Sequence, residues 1–220
     1  MISHLYRCIY IHIPKTAGTS IEYKLGHFKE LKRGVQDHGT IRDIEPLSWL
    51  ESAGLFLRGD FKLLSRRAKR LASGDGRVSS RQFQRYFKFT FIRNPWARVF
   101  SWYQNVMRDD LHRRKSGISG RDSFEKFLKR GMKEWALKPQ LYWMRNRRGN
   151  IPLDFIGRYE SLERDFTHVA GVLGLKEGEL PKLVSGSNPS YPSFYNQEMK
   201  ERVAERYAEE IKLFGYKFGD

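Results

Sequence analysis

The chain has 220 residues, of which 41 are Lys or Arg and 25 Asp or Glu, giving a formal charge of +16 with neutral histidines. That length suits one domain, 1–220, with a buried core, and 40% apolar residues exclude a disordered polycation. No apolar run approaches the ~20 residues that cross a bilayer, and the lone cysteine, Cys8, excludes an internal disulfide and fits a reducing compartment.

The first element in chain order is Arg7 to Ile13, RCIYIHI, bounded by Pro14. Its β-branched and aromatic run predicts a buried parallel strand, with Cys8 a structural thiol inside it. After the turn PKTAGTS comes IEYKLGHFKEL, with Ile21, Leu25 and Phe28 at helical spacing, Thr19 or Ser20 as N-cap and Glu22 in the first turn. Residues 74–80 and 116–121 read as exposed loops. Tyr86 to Ile92, YFKFTFI, predicts a second strand, and Arg93-Asn94-Pro95 turns it into the helix WARVFSWYQNVM. A short strand is expected at Leu153–Ile156, a helix from Ser161 to Val172, and a last helix from Gln197 to Phe214 with Val203, Tyr207 and Ile211 on one face. Strands alternating with helices predict an α/β fold with a mainly parallel sheet, whose ligands sit beyond the carboxyl ends of the strands.

Both strand-to-helix turns therefore point at one edge. In the first, Pro14-Lys15-Thr16-Ala17-Gly18-Thr19-Ser20, small residues let backbone N–H groups approach an anion. The helix N-terminus adds partial positive charge, Lys15 a full one, and the hydroxyls of Thr16, Thr19 and Ser20 further donors. The spacing is not that of a Walker A loop, because the lysine precedes the glycine. In the second, Arg93 ends the strand and Ser101 follows about two helical turns later, so a guanidinium fork and a hydroxyl can converge on one oxyanion. Read alone, each turn is also compatible with an ordinary exposed connection.

Together, HIPKTAGTS and FIRNPWARVFSWY resemble the 5′-phosphosulfate and 3′-phosphate motifs of sulfotransferases that use 3′-phosphoadenosine-5′-phosphosulfate (PAPS). The branch they resemble contains heparan sulfate 2-O-sulfotransferase and small bacterial carbohydrate sulfotransferases. The resemblance implies a P-loop-like, three-layer α/β domain with a central mainly parallel sheet flanked by helices. It implies that Lys15 contacts the oxygen bridging phosphate and sulfonate. Pro14, Thr16, Ala17, Gly18, Thr19 and Ser20 would form the 5′-phosphate cradle, and Arg93 and Ser101 would bind the 3′-phosphate. FIGRYESLERDF also resembles the family, placing Arg158 towards the nucleotide; Gln140 in KPQLYWM matches without an assigned role. SNPSYPSFYNQEM and FGYKF resemble the usual ending, whereas residues 51–85 and 104–135 match weakly.

A hydroxyl acceptor needs a base, and six histidines compete: His4, His12, His27, His38, His112 and His168. His12 lies in a strand, His27 and His168 on expected helices, and His112 in a basic loop. His38, in VQDHGTIRDI, matches an H-x-T-x-x-x-I segment that the resemblance assigns as base, with Asp43 and Glu45 as substitutes. The expected reaction is in-line displacement at sulfur onto a carbohydrate or other hydroxyl acceptor, with no metal, because neither strand end delivers an Asp for Mg²⁺.

The charge leaves other partners open: a basic nucleic-acid-binding module, which no zinc or RNP-like spacing supports, or a nucleotide kinase. Two basic clusters stand out, Arg58, Lys62, Arg66, Arg67, Lys69, Arg70, Arg77, Arg81 and Arg85, then Arg108, His112, Arg113, Arg114, Lys115 and Arg121. They predict an extended electropositive face and favour an anionic acceptor. Trp102, Tyr103, Trp135, Tyr142 and Trp143 are candidates for sugar stacking, with core packing the commoner use of such residues. The opening MISHLYRCIYIHIPK carries no signal-peptide pattern. The expected location is a bacterial cytoplasm, the alternative being a chain without the anchor of Golgi relatives.

Overall fold

Alternation along two apolar runs builds the centre of the molecule. In the computed structural model, which describes residues 1–32, 34–72, 77–176, 179–181 and 190–220, four strands form one sheet in the order β1 (Ile2–Ser3), β2 (Cys8–Ile11), β3 (Phe87–Ile92), β4 (Phe155–Arg158). β1 is antiparallel to β2, while β2, β3 and β4 run parallel, with Ile11 opposite Thr90 and Ile92 opposite Arg158. Period-two alternation sends Cys8, Tyr10, Phe89 and Phe91 to one face and Ile9, Ile11 and Ile92 to the other.

Helices cover both faces, as parallel strands require. Between β2 and β3 lie α1 (Gly18–Lys24), α2 (Ile41–Ile44), α3 (Trp49–Leu57), α4 (Phe61–Ala72) and α5 (Ser80–Arg85). Between β3 and β4 lie α6 (Pro95–Arg108), α7 (Asp110–Ser116), α8 (Phe124–Gly131), a 3₁₀ turn at Trp135–Leu137, and α9 (Gln140–Met144). After β4 come α10 (Leu162–Leu173), a 3₁₀ turn at Tyr191–Phe194, α11 (Gln197–Arg206) and α12 (Ala208–Phe214). Ile21 of α1 packs with Phe166 and Val169 of α10 on the Tyr10 face. Val99 and Phe100 of α6 pack with Met199 and Val203 of α11 on the Ile9 face. The three-layer α/β arrangement expected from the sequence is the one observed.

Several boundaries differ from expectation. The first strand pairs only over Cys8–Ile11, because Arg7 turns the chain at φ 49°, while His12 and Ile13 run on, buried but outside the ladder. The first helix stops at Lys24 rather than near Leu31: Gly26 adopts φ 73°, and the Gly26 N–H donates to the Tyr23 carbonyl. Leu25 and Phe28 remain buried all the same. The strand expected at 153–156 forms at Phe155–Arg158. The single last helix is two, because Tyr207 leaves helical geometry at φ −112°, ψ 20°; its buried hydroxyl donates to the Leu137 carbonyl. In the segment 116–121, Ser116 closes α7 and Ile118 is buried, so that loop is anchored rather than wholly exposed. Residues 74–76 of the other expected loop and 187–189 of the C-terminal segment lie outside the described residues.

Candidate active site

β2 and β3 are adjacent and parallel, so their two turns emerge side by side. The first turn bends sharply: Lys15 and Ala17 both take left-handed backbone conformations, φ 71° and 67°. Two strained non-glycine residues in one short loop cost of order 1–3 kcal/mol each, and such strain concentrates at functional sites. Ala17, not Thr19 or Ser20, is the N-cap of α1, and the helix begins at Gly18. A Cβ on Gly18 would stand 1.9 Å from Cδ2 of His12, so only glycine lets the helix start against that ring. The Thr16 hydroxyl donates to the Ile13 carbonyl at 2.8 Å and braces the loop, and the Thr19 hydroxyl accepts from Gln36 at 2.8 Å.

The second turn is fixed by Asn94, whose side chain accepts from the N–H groups of Trp96 and Ala97 and caps α6, with Pro95 in its first turn. The turn contacts the first turn, Gln140 of α9, the Tyr159–Glu160 segment and Lys217. Arg93 Nη1 donates to the Lys15 carbonyl at 3.3 Å, and its guanidinium lies 3.9 Å over the Tyr159 ring. Arg93 Nε is buried without a hydrogen-bond partner among the described residues. Lys15 Nζ reaches across to Oδ1 of Asn105 on α6, at 3.5 Å. Asn105 stands four residues after Ser101 and three before Arg108, so all three share the helix face turned to Lys15.

Burial first, then the charges of Arg93 and Arg108, pushes Lys15 down from 10.5 to about 8. Like charges gathered at partly buried positions are costly unless a polyanion joins them. Three cations beside a cramped turn thus fit an anionic ligand.

The histidines sort by surroundings. His12 is buried, its Nδ1 3.1 Å from Glu22 Oε1. Burial works to raise Glu22, but His12, the chain's N-terminus and His27 together hold the carboxyl below its usual range. Glu22 also accepts from the Asp37 N–H at 3.1 Å, tying α1 to the segment that carries His38. The His38 ring sits 4.2 Å from the His12 ring, with Trp135 at 5.1 Å and Trp143 at 6.4 Å. Burial, and secondarily His12, pushes His38 down to about 3, against the opposing pull of Glu22 and Asp37. His38 is therefore neutral near pH 7. With Nδ1 donating to the His12 carbonyl at 3.4 Å, Nε2 keeps its lone pair.

The family model described as the sulfotransferase family matches residues 1–217. The chain belongs to the sulfotransferase family. Its chemistry is accordingly sulfonyl transfer. An uncharacterised protein of Archaeoglobus fulgidus is 37% identical over 115 residues, covering 52% of this chain and 90% of the relative. Carbohydrate sulfotransferase 14 of Danio rerio is 27% identical over 165 residues, covering 61% of this chain; the aligned part is 45% of that protein, so the chain spans about half its length. No solved structure matches.

In this sulfotransferase the two sequence motifs meet, and the remaining expected residues take distinct places. The Arg158 backbone N–H donates to Asp165; its guanidinium donates to the Phe214 carbonyl at 2.5 Å and lies 4.8 Å over Tyr216. His112 is on α7 rather than in a loop, and His27 falls just past α1. Asp43 is engaged by Arg66 at 2.9 Å and caps α2 through Thr40. Of the aromatics, Trp102 and Trp143 are core, Tyr103 and Tyr142 are half-buried, and Trp135 stays exposed beside His38. Among the described residues no helix is long and apolar enough to cross a membrane, and no group of three or more metal-ligating side chains gathers.

Sequence reasoning left three contributors unassigned. Gln140 holds the Arg93 backbone from both sides, accepting from its N–H at 2.8 Å and donating to its carbonyl at 2.9 Å, and Glu210 in turn holds Gln140. Arg98, fully buried, donates to the carbonyls of Pro14, Ala136 and Lys138. Asn105 is the third. Only its position one turn after Ser101 could have drawn attention to it.

Proposed function

We propose that this chain is a single-domain, PAPS-dependent sulfotransferase that moves sulfonate to the hydroxyl of a carbohydrate. The observation that carries the proposal is the meeting of the two turns, Arg93 against the Lys15 carbonyl with Lys15 Nζ on the Ser101–Asn105 face. When bound, PAPS supplies a sulfonate carried on a leaving phosphate. Lys15 and the first-turn amides up to Ser20 would hold the 5′ end; Arg93 and Ser101, with Arg158 behind them, would hold the 3′-phosphate. Lys15 places positive charge where the leaving phosphate gains negative charge, in a turn whose dipoles are already oriented. His38 Nε2 accepts the acceptor's proton; Glu22 and Asp37 favour the cation that results, against burial and the neighbouring His12.

The acceptor side has its own chemistry. A cleft of about 890 Å³ opens between α2, α3, α4 and α9, lined by Arg42, Arg58, Lys62, Lys138 and Arg148 among others. Tyr142 of this cleft packs its ring edge-on against Trp143, which flanks His38. A cation-lined wall leading to the base, with the exposed Trp135 beside it, suits an anionic sugar.

Two measurements test the reading. Adenosine 3′,5′-bisphosphate should raise the thermal midpoint, and Arg93→Ala should cut its affinity by about 10- to 100-fold, the worth of a charge-assisted contact. A DNA duplex that stabilises the chain more than the bisphosphate does would overturn it. The lowered pKa gives a second. Between about 8 and 10.5, Lys15 is neutral in the free protein, and a bound polyanion restores its charge, so binding must take up a proton there. Calorimetry in two buffers of different ionisation enthalpy should detect that uptake, and Lys15→Met should remove it. For the same reason kcat/KM should fall as pH rises through about 8.

A further inference from the structure

The α3–α4 hairpin exposes apolar surface that no part of the described chain covers. Trp49 is 76% exposed, Leu50 62%, Phe56 63%, Leu57 84% and Phe61 58%. Trp49 and Phe56 are seven residues apart, as are Leu50 and Leu57, so two turns of α3 put all four on one side. Leu55 takes the opposite, buried side, joined by Leu63 of α4. Phe61, at the start of α4, extends the stripe by packing its ring edge-on to Phe56 at 5.6 Å. Single exposed apolar residues are ordinary; five large ones in a contiguous stripe mark a binding face.

The surroundings of the stripe select its partner. Exposed Arg58, Lys62 and Lys69 border it, on a chain of net charge +16. A two-fold pairing of this face would set the same cations of two copies against each other. An anionic bilayer meets both features at once, taking the apolar side chains among its acyl chains and the cations among its headgroups. We infer that the α3–α4 hairpin is a peripheral docking surface for a membrane rich in anionic lipid, with Trp49, Phe56, Leu57 and Phe61 entering the interface. Arg58 and Lys62 also line the acceptor cleft, so docking brings the mouth of the cleft to the membrane surface. The inference does not depend on the identity of the sulfonate donor or acceptor.

The test is co-sedimentation of the full chain with phosphatidylcholine vesicles, with and without phosphatidylglycerol. Binding is expected only with the anionic lipid and should weaken as sodium chloride is raised. Phe56→Ser with Leu57→Ser leaves the charge unchanged and should lower the partition coefficient about tenfold or more, since each acyl-buried methylene counts. Its thermal midpoint and its bisphosphate binding should stay as in the parent. Brominated acyl chains should quench fluorescence in the parent and quench far less in Trp49→Phe. The inference is overturned by absence of binding to anionic vesicles. It is equally overturned by undiminished binding of the serine double variant, which would mean adsorption by charge alone. It also fails if the parent sediments as a dimer that the same double variant splits.

Discussion

Lys15→Ala is expected to lower turnover by about three orders of magnitude, at the upper end of what one preorganised electrostatic contact supplies, while the folded state is kept or strengthened. Alanine at φ 71° carries the same backbone strain as lysine, so the turn has no reason to relax. Deleting the ammonium also relieves its repulsion with Arg93 and Arg108, which, after burial, is what depresses Lys15. The linkage has a definite sign. A cation whose folded pKa lies below its unfolded value makes stability rise as pH rises between about 8 and 10.5. The alanine variant should lack that rise and gain stability relative to the parent near pH 7. Sulfonyl transfer measured with labelled donor, beside a melting curve, separates the cases. Normal turnover in a well-folded Lys15→Ala protein would remove Lys15 from the chemistry.

The parts of this site readable in the sequence are those encoded by consecutive residues. CIYI and FKFTFI each end in a proline-marked turn, and parallel neighbours put both turns on one edge. Lys15 and Arg93 could be named because each lies in such a turn, and His38 because VQDHGTIRDI matches a segment of the family that the chain resembles. Helix limits were less legible wherever a backbone conformation cut through a good pattern. Gly26 ends α1 although Leu25 and Phe28 keep the apolar spacing, and Tyr207 divides the C-terminal helix although Val203, Tyr207 and Ile211 do share one apolar cluster.

Least legible were the polar partnerships between distant segments. His12 and Glu22 lie ten residues apart across the first turn, and nothing local marks them as a pair. Gln140 looked like an unassigned match until its amide was seen to bracket the backbone of Arg93. The α3–α4 hairpin posed the opposite problem. Its apolar residues satisfy a helical pattern, yet they point outward, and periodicity alone does not say which side of a helix is covered.

Arg98→Leu should be the most destabilising of the substitutions considered, at about 3–5 kcal/mol, the cost of removing one partner from a buried charge pair. Arg98 and Glu210 are both fully buried and interact electrostatically, Glu210 also accepting from Gln140. Arg98 Nε donates to Pro14 at 3.2 Å, and Nη2 to Ala136 at 2.5 Å and Lys138 at 2.9 Å. The guanidinium therefore fixes the entry to the Lys15 turn and the segment that carries Trp135 in a single group. Its loss leaves three carbonyls without that donor and Glu210 without its counter-charge. Burial already raises Glu210, and Arg98 opposes the rise; without Arg98 the carboxyl moves higher still. A raised carboxyl binds its proton better in the folded state, so the variant should lose stability as pH climbs and recover part of it in mild acid. Chemical denaturation at two pH values measures that difference. Arg98→Leu combined with Glu210→Gln removes the stranded charge and should regain a substantial share of the loss, as coupled neighbours do. Turnover should not return with it, because Pro14 still lacks its anchor. A double variant no more stable than Arg98→Leu alone would show that the two buried charges are not coupled.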